Sequence, residues 1–450
     1  MLIGSINAEA RNWDRVRREA SRNAKMDAMK DDWMTAEQAA NALHVTRSTL
    51  YAYVSRGLVR SEAEPGTQQR RYRRREVERL AVERERARKP ALVARASLDW
   101  GRPVLNSELT LIEGGRLHYR GRDAIELSRH ASLEEVAALL LACDASDFDT
   151  GARLHIDAAT LRALARLDPV AGCTAGFGWL HGLDTAAAHR DPAPSVAQAC
   201  GRLLRLMTAV VARRVPTREP AHRQLARAWR LDARGTDLVR QALVLCADHE
   251  LNASSFAARC VASTGADLGA CVTAGLAALS GTRHCGITTA IESMWERSLV
   301  ARRRTEVARL VDERLGGLDA DGAGVPGQGV PGFGHPLYPD GDPRAQALLA
   351  RLARPHRNER LVAAVFERSG LRPSVDYALV AMRRSLGLPE GHAYLTFALG
   401  RTVGWLAHAV EQGGSDQLIR PRAAYVGERP ARELADVVPV GLPSRIVRRR

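Results

Sequence analysis

Residues 257–279 read AARCVASTGADLGACVTAGLAAL. Alanine, leucine and other small apolar residues recur there at helical spacing, so the stretch predicts helix. SLEEVAALLLA, residues 132–142, has the same character. From about Leu98 onwards the chain reads as one long, mostly helical body. The clearest exception is TLIEGGRLHYRGRD, residues 110–123, a β-hairpin candidate with Gly114-Gly115 at its turn. No glycine-rich phosphate loop, Rossmann fingerprint or internal repeat is found. The most apolar run, LGACVTAGLAALSG at 268–281, falls short of the roughly 18 residues a bilayer span needs.

The totals agree with a soluble globular protein. At 450 residues, 45% hydrophobic and 26% charged, the chain suffices for two or three domains, one with a large core. Its seven cysteines are scattered without a CxxC pair, which predicts neither a disulfide framework nor a zinc knuckle. A reducing cytoplasm and no membrane association are the simplest expectations. The first residues lack the apolar segment and cleavage site of a signal peptide. Charge is uneven: residues 1–95 carry 21 basic and 13 acidic side chains, against 45 and 38 in the remaining 355.

Residues 1–33 are polar and aperiodic, and are expected to be a disordered extension. In-frame Met26, Met29 and Met34 leave a later start open. From Met34 the pattern changes. Thr35 to Gln38 has the Thr-x-x-Gln form of a capping box, with Ala39 and Leu43 on one face of the helix that follows. Thr46 can cap a second helix in RSTLYAYVSRGLV (47–59), with Leu50 and Val54 inward. QQRRYRRREVERL (68–80) then predicts a basic wing leading into a helix. Over residues 34–92 this resembles a MerR or excisionase type helix-turn-helix domain. It would turn Arg47, Ser48 and Tyr51 towards a DNA groove and Arg70, Arg71, Arg73 and Arg74 towards phosphates. The bland alternative is an accessory domain whose basic wing packs on another subunit or only solvates.

Four stretches of the body carry chemistry: DHELNASSFAAR (248–259), LSGTRHCGITTAIE (279–292), GFGHPLYPDGDPR (332–344) and RPSVDYALVAM (372–382). Histidine shuttles protons near neutral pH, arginine clamps carboxylates bidentately, and glycine admits close backbone approach. Asp376 falls in the first turn of a helix that Ser374 could cap. In this order, with IEGGRLHYRGRD upstream and GRTVGWLAHAVEQ (400–412) and LIRPRAAYVG (418–427) downstream, they resemble the citrate synthase family over roughly residues 98–430.

The resemblance implies an all-α fold over 98–450. A large domain of about 98–288 and 395–450 would accompany a small domain of about 289–394. It also implies a homodimer, and no cofactor beyond a CoA thioester taken as substrate. His335 matches the histidine that polarises the ketone of oxaloacetate. Asp376 matches the base that removes the acyl-CoA α-proton, and His284 the donor to the enolate. His249, Arg344 and Arg401 match the groups that hold the dicarboxylate, and Arg420 the arginine reaching in from the partner subunit. Pro331, Gly332, Phe333 and Gly334 would leave room for CoA. No metal site is implied. At its start of a helix, the positive end of the dipole would keep His284 neutral.

The second stretch departs from the family's wording. Thr282, Arg283, Cys285 and Ile287 replace smaller or more usual residues, and Pro336 follows His335 where arginine is common. A cysteine at 285 would strain the turn if that position needs a positive φ. Three readings stay open: condensation of acetyl-CoA with oxaloacetate, the same reaction with propionyl-CoA, and a DNA-binding regulator whose body senses a metabolite.

Overall fold

The computed structural model describes residues 33–81 and 105–427, apart from 56–57, 64–68, 75, 79, 149–153, 155, 157, 189–194, 302, 316–328, 416 and 424. The extension expected before Met34, but for Trp33, and the stretch joining the two domains lie outside the described residues. So does the end of the chain. Contacts divide the chain into two units, one up to Asn106 and one from Ser107.

The first unit is built as its sequence predicts. Strand β1 (Trp33–Thr35) runs into helix α1 (Ala36–Ala42), which Thr35 and Gln38 close as a reciprocal capping box. Helix α2 (Arg47–Ser55) follows, its start held by Thr46 Oγ1 accepting from the Thr49 amide at 3.3 Å. Strands β2 (Ser61–Ala63) and β3 (Arg70–Arg73) complete an antiparallel sheet in the order β1-β3-β2. Ala39, Leu43, Leu50, Val59, Tyr72 and Val77 form its core, with Val54 packed at the margin.

The second unit opens with the hairpin. Strands β4 (Thr110–Glu113) and β5 (Arg116–Tyr119) pair around Gly114 and Gly115, whose φ angles of 58° and 74° are those of a type I′ turn. A short β6 (Arg122–Asp123) adds to β5. Then come α3 (Ala124–His130), α4 (Leu133–Leu141), α5 (Ala158–Leu164), α6 (Pro169–Ala188), α7 (Val196–Ala212) and α8 (Ala221–Trp229). Next are α9 (Ala233–Cys246), α10 (Ala253–Ala262), α11 (Leu268–Leu279), α12 (Thr288–Val300) and α13 (Arg304–Leu315). The last are α14 (Pro343–Ala350), α15 (Glu359–Ser369), α16 (Val375–Ser385) and α17 (His392–Gly413). Side-chain caps start many of them: Asp123, Ser132, Ser195, Asp232, Asn252 and Asp267 each accept backbone amides that the helix leaves unpaired.

Helix α17 is the axis. Eighteen of its 22 residues are buried, so it reads as hydrophobic on nearly every side, as a helix at the centre of a bundle must. Helices α9, α10 and α11 pack along it. One continuous core runs from Leu109 to Ala409 and takes in α12 to α16, so the expected large and small domains share it. Among the described residues no helix is long and apolar enough to cross a membrane.

Small residues decide how closely the helices approach. A Cβ on Gly275 of α11 would lie 2.5 Å from Cδ2 of Trp405 in α17. Gly275→Leu is therefore expected to destabilise the body by about 1–3 kcal/mol or more, the usual range for overpacking. Urea unfolding followed by tryptophan fluorescence measures it.

Candidate active site

Three loops and three helices converge near the C-terminal end of α9. The first loop, residues 247–252, carries His249. Arg401 of α17 donates from Nε to the Cys246 carbonyl at 2.8 Å. The Tyr119 hydroxyl, from β5, lies 3.0–3.3 Å from the carbonyls of Val244, Leu245 and Asp248. His249 Nε2 meets the Tyr338 hydroxyl at 3.0 Å. Its ring stands edge-on to His335, with centroids 5.0 Å apart. The structure thus brings His249, Tyr338 and His335 into one aromatic cluster.

The second loop is 329–342. Gly332 and Gly334 take φ angles of 83° and 80°, conformations that disfavour any side chain. A Cβ on Gly332 would also press on Ile291 Cδ1 at 2.8 Å. This strip is zipped to the start of α16, with Gly334 N–H donating to the Arg372 carbonyl and Ser374 N–H to that of Gly332. Gly332 and Phe333 are therefore buried. Of the four residues expected along CoA, only Pro331 and Gly334 expose surface. Close packing of loop on helix, rather than room for a ligand, explains the first glycine.

His335 follows. Its Nδ1 accepts the Leu337 amide at 3.2 Å, so a neutral ring carries its proton on Nε2. Burial first, and Arg344 next, push its pKa down to about 4. His249 is driven well below the ordinary histidine value by burial, Arg344 and His335. Both rings are neutral donors near pH 7.

Arg344 sits in the first turn of α14, almost fully buried. Its Nε and Nη2 donate to Asp342 at 3.0 and 2.8 Å. Asp342 also accepts the Arg344 amide at 3.0 Å and the Val375 amide at 2.9 Å. The sequence reading gave the cap of α16 to Ser374. Ser374 does hold the N-cap position, but its hydroxyl makes no capping bond; Asp342 caps the helix from another loop. Asp342 stands two residues before Arg344 in the same quoted stretch, and that proximity was the available signal.

Asp376 lies in the first turn of α16. Burial, partly offset by Arg344, pushes its pKa up to about 6. Arg401 is 1% exposed; besides its bond to Cys246, its guanidinium lies over the Phe397 ring at 4.8 Å. Its Nη2 has no hydrogen-bond partner in the structure. A buried, unsatisfied guanidinium nitrogen costs free energy unless an anion completes it.

His284 occupies the turn between α11 and α12, ahead of a short 3-10 segment at Cys285–Ile287. Its Nε2 is 2.9 Å from Ser254 Oγ. Burial, then Arg401, bring its pKa down to about 3. Desolvation and a neighbouring cation thus suffice to keep the ring neutral. Cys285 is buried and absent from the positive-φ residues, so it does not strain the turn. The sterically constrained position is Gly286, where a Cβ would meet the Ser280 carbonyl oxygen at 2.3 Å.

His249, His284, His335, Arg344, Asp376 and Arg401 are thus one electrostatically coupled group. Arg420 is not among them: it is exposed on the extended segment after α17. In the first unit, Arg47, Ser48 and Tyr51 are exposed on α2. The wing is more engaged than its sequence suggests. Arg71 and Arg73 stack over the Trp33 ring at 4.6 and 4.7 Å, Arg70 donates to Ser61, and Arg74 lies 3.7 Å from Glu78.

Residues 98–422 match the citrate synthase C-terminal domain, and residues 34–85 match the MerR helix-turn-helix family of regulatory proteins. The citrate synthase of Haloferax volcanii is 30% identical over 384 residues, spanning 72% of this chain and 94% of that protein. The 2-methylcitrate synthase of Shewanella oneidensis is 27% identical over 369 residues, spanning 73% and 92%. Among solved structures, the ternary complex of carboxymethyl coenzyme A and oxaloacetate with citrate synthase from Thermoplasma acidophilum superimposes with a TM-score of 0.58. It is 25% identical and covers 73% of this chain and 95% of that one.

Asp342→Ala removes the partner of a buried guanidinium. The expected loss is about 3–5 kcal/mol of stability, typical of breaking a buried pair. Urea unfolding at neutral pH checks it.

Proposed function

This chain belongs to the citrate synthase family and is an enzyme of it, and we propose that it condenses acetyl-CoA with oxaloacetate and hydrolyses the resulting citryl thioester to citrate and CoA. The observation that carries this reading is a buried carboxylate, Asp376, with a pKa near neutrality, grouped with neutral histidines and two buried arginines. A general base works best when its pKa lies near the operating pH.

Each side chain then has a task. Arg344 and Arg401, with His249, hold the dicarboxylate, and the unpaired Arg401 Nη2 donates to one of its oxygens. His335 directs Nε2–H to the ketone. Asp376 takes the α-proton of the thioester while His284 donates to the developing enolate oxygen. The Ser254 hydroxyl donates to Asn252 Oδ1 at 2.7 Å, an oxygen that also accepts the Ser254 and Ser255 amides, and the Ser254 oxygen lies 2.9 Å from His284 Nε2. The enolate carbon attacks the ketone carbon, His335 protonates the alkoxide, and water cleaves the thioester. An oxyanion donor of this kind typically contributes about 10²–10³ in rate.

Propionyl-CoA, giving 2-methylcitrate, is the alternative substrate, supported by the Shewanella relative. One methylene is worth only about 1–3 kcal/mol of discrimination. The exposed position of Arg420 agrees with its serving a partner subunit's site in a homodimer. A second activity is supported by the MerR match and by exposed Arg47, Ser48 and Tyr51: the first unit binds DNA, coupling a metabolic enzyme or a sensor to transcription.

Thiol release from acetyl-CoA and propionyl-CoA, each with oxaloacetate, tests the enzyme reading, and the ratio of kcat/KM names the substrate. Below pH 6 the rate is expected to fall about tenfold per pH unit as Asp376 takes up its proton. Asp376→Ala is expected to abolish turnover while leaving oxaloacetate binding nearly intact; wild-type turnover in that variant overturns the assignment. For the first unit, a gel shift on the DNA upstream of its own gene should weaken steeply with salt. Binding no tighter than to unrelated DNA removes the regulatory reading.

A further inference from the structure

Behind His249 lies a buried polar chain that the mechanism above does not use. Asp248 and His408 are each fully buried. Asp248 Oδ2 accepts the Thr110 hydroxyl of β4 at 2.5 Å. Its Oδ1 faces His408 Nε2 at 3.3 Å, close but without the alignment of a full hydrogen bond. His408 Nδ1 lies 3.5 Å from Arg259 Nη1, a donor, so the ring proton is on Nε2 and points at Asp248. Arg259 is itself fixed by Glu411 at 2.6 Å and Gln412 at 3.0 Å.

The geometry ties this chain to the ligand site. Arg401, Gly404 and His408 stand at i, i+3 and i+7 on α17, one stripe of the helix. All three address the same short segment: Arg401 Nε bonds the Cys246 carbonyl. A Cβ on Gly404 would lie 2.4 Å from the Ala247 oxygen and 2.5 Å from Asp248 Oδ1. His408 meets Asp248. The next residue is His249.

We propose that Asp248 and His408 form a positioning pair that sets His249, in register with Arg401, to receive the ketoacid. Neither residue touches substrate. The inference rests on the reading of His249 and Arg401 as ketoacid ligands. A buried polar contact is commonly little more stabilising than well-packed apolar groups of the same shape, which makes geometry, not stability, its contribution. Breaking the pair lets residues 246–249 move off α17, and His249 loses its alignment with Arg401 while the thioester side keeps its own.

Calorimetric titration of the full-length protein with oxaloacetate tests this. His408→Leu is expected to weaken oxaloacetate binding by about tenfold or more, with the KM for acyl-CoA changed less than about twofold. His408→Gln, whose amide can still donate to Asp248, is expected to restore affinity to within about threefold. Oxaloacetate affinity in His408→Leu within twofold of wild type overturns the proposal. So does an equal loss of both substrates that glutamine fails to rescue, the signature of a structural role alone. If His408→Leu does not fold, Thr110→Val removes the other bond to Asp248 and is expected to weaken oxaloacetate about three- to fivefold; unchanged affinity there overturns it equally. A wild-type protein that binds no oxaloacetate overturns the ketoacid reading, and this inference with it.

Discussion

The site depends on the buried ion pair between Asp342 and Arg344. One carboxylate accepts from the Arg344 amide, from its Nε and Nη2, and from the Val375 amide. It thereby caps α14, neutralises the arginine that α14 carries, and caps α16, the helix that bears Asp376. Moving the carboxylate would displace a cation, a base and two helix starts together. Such pairs are expensive to desolvate, and this one is only 1–3% exposed; its four donors offset the burial. Burial opposes ionisation of Asp342, but Arg344 holds its pKa below the ordinary carboxylate range.

Low dielectric then sorts the remaining groups by sign. Desolvation penalises whichever form is charged, so it raises Asp376 and lowers His249, His284 and His335. The arginines enlarge the histidine shifts and temper that of Asp376. One environment therefore yields three neutral imidazoles and a carboxylate poised near neutrality, without a separate device for each. At His284, depth and Arg401 favour the same neutral ring that its place ahead of the 3-10 segment and α12 leads one to expect.

Much of this was legible in the sequence. The capping box at Thr35, the Gly114-Gly115 turn, the helical body and the six residues that meet in the buried cluster are all singled out by local pattern and co-linear motifs. What was hidden is what passes between segments distant in sequence. Tyr338 on His249, Tyr119 on the 244–248 carbonyls and Asp342 on α16 are each ordinary residues in their own stretch. Long-range geometry alone gives them a role. The wing arginines make contacts that a run of basic residues does not announce. A run of basic residues reads as a solvated, phosphate-seeking face, yet strand alternation sends Tyr72 into the core and brings Arg71 and Arg73 onto Trp33.

The altered turn at 282–287 bears most directly on whether the site is competent. Position 285 lies in helical backbone, so the thiol enters a place that any L-residue can occupy. The backbone's real demand falls one residue later, on Gly286, and the chain meets it. His284 keeps its hydrogen bond to Ser254 and its distance of 6.0 Å from the Phe397 ring, which Arg401, one turn along the same helix, also covers. A buried carboxylate with its pKa raised to about 6 and a neutral imidazole held in this way are both features that the proposed chemistry calls for. The substitutions around His284 therefore alter what lines the turn, while His284, His335 and Asp376 remain in place.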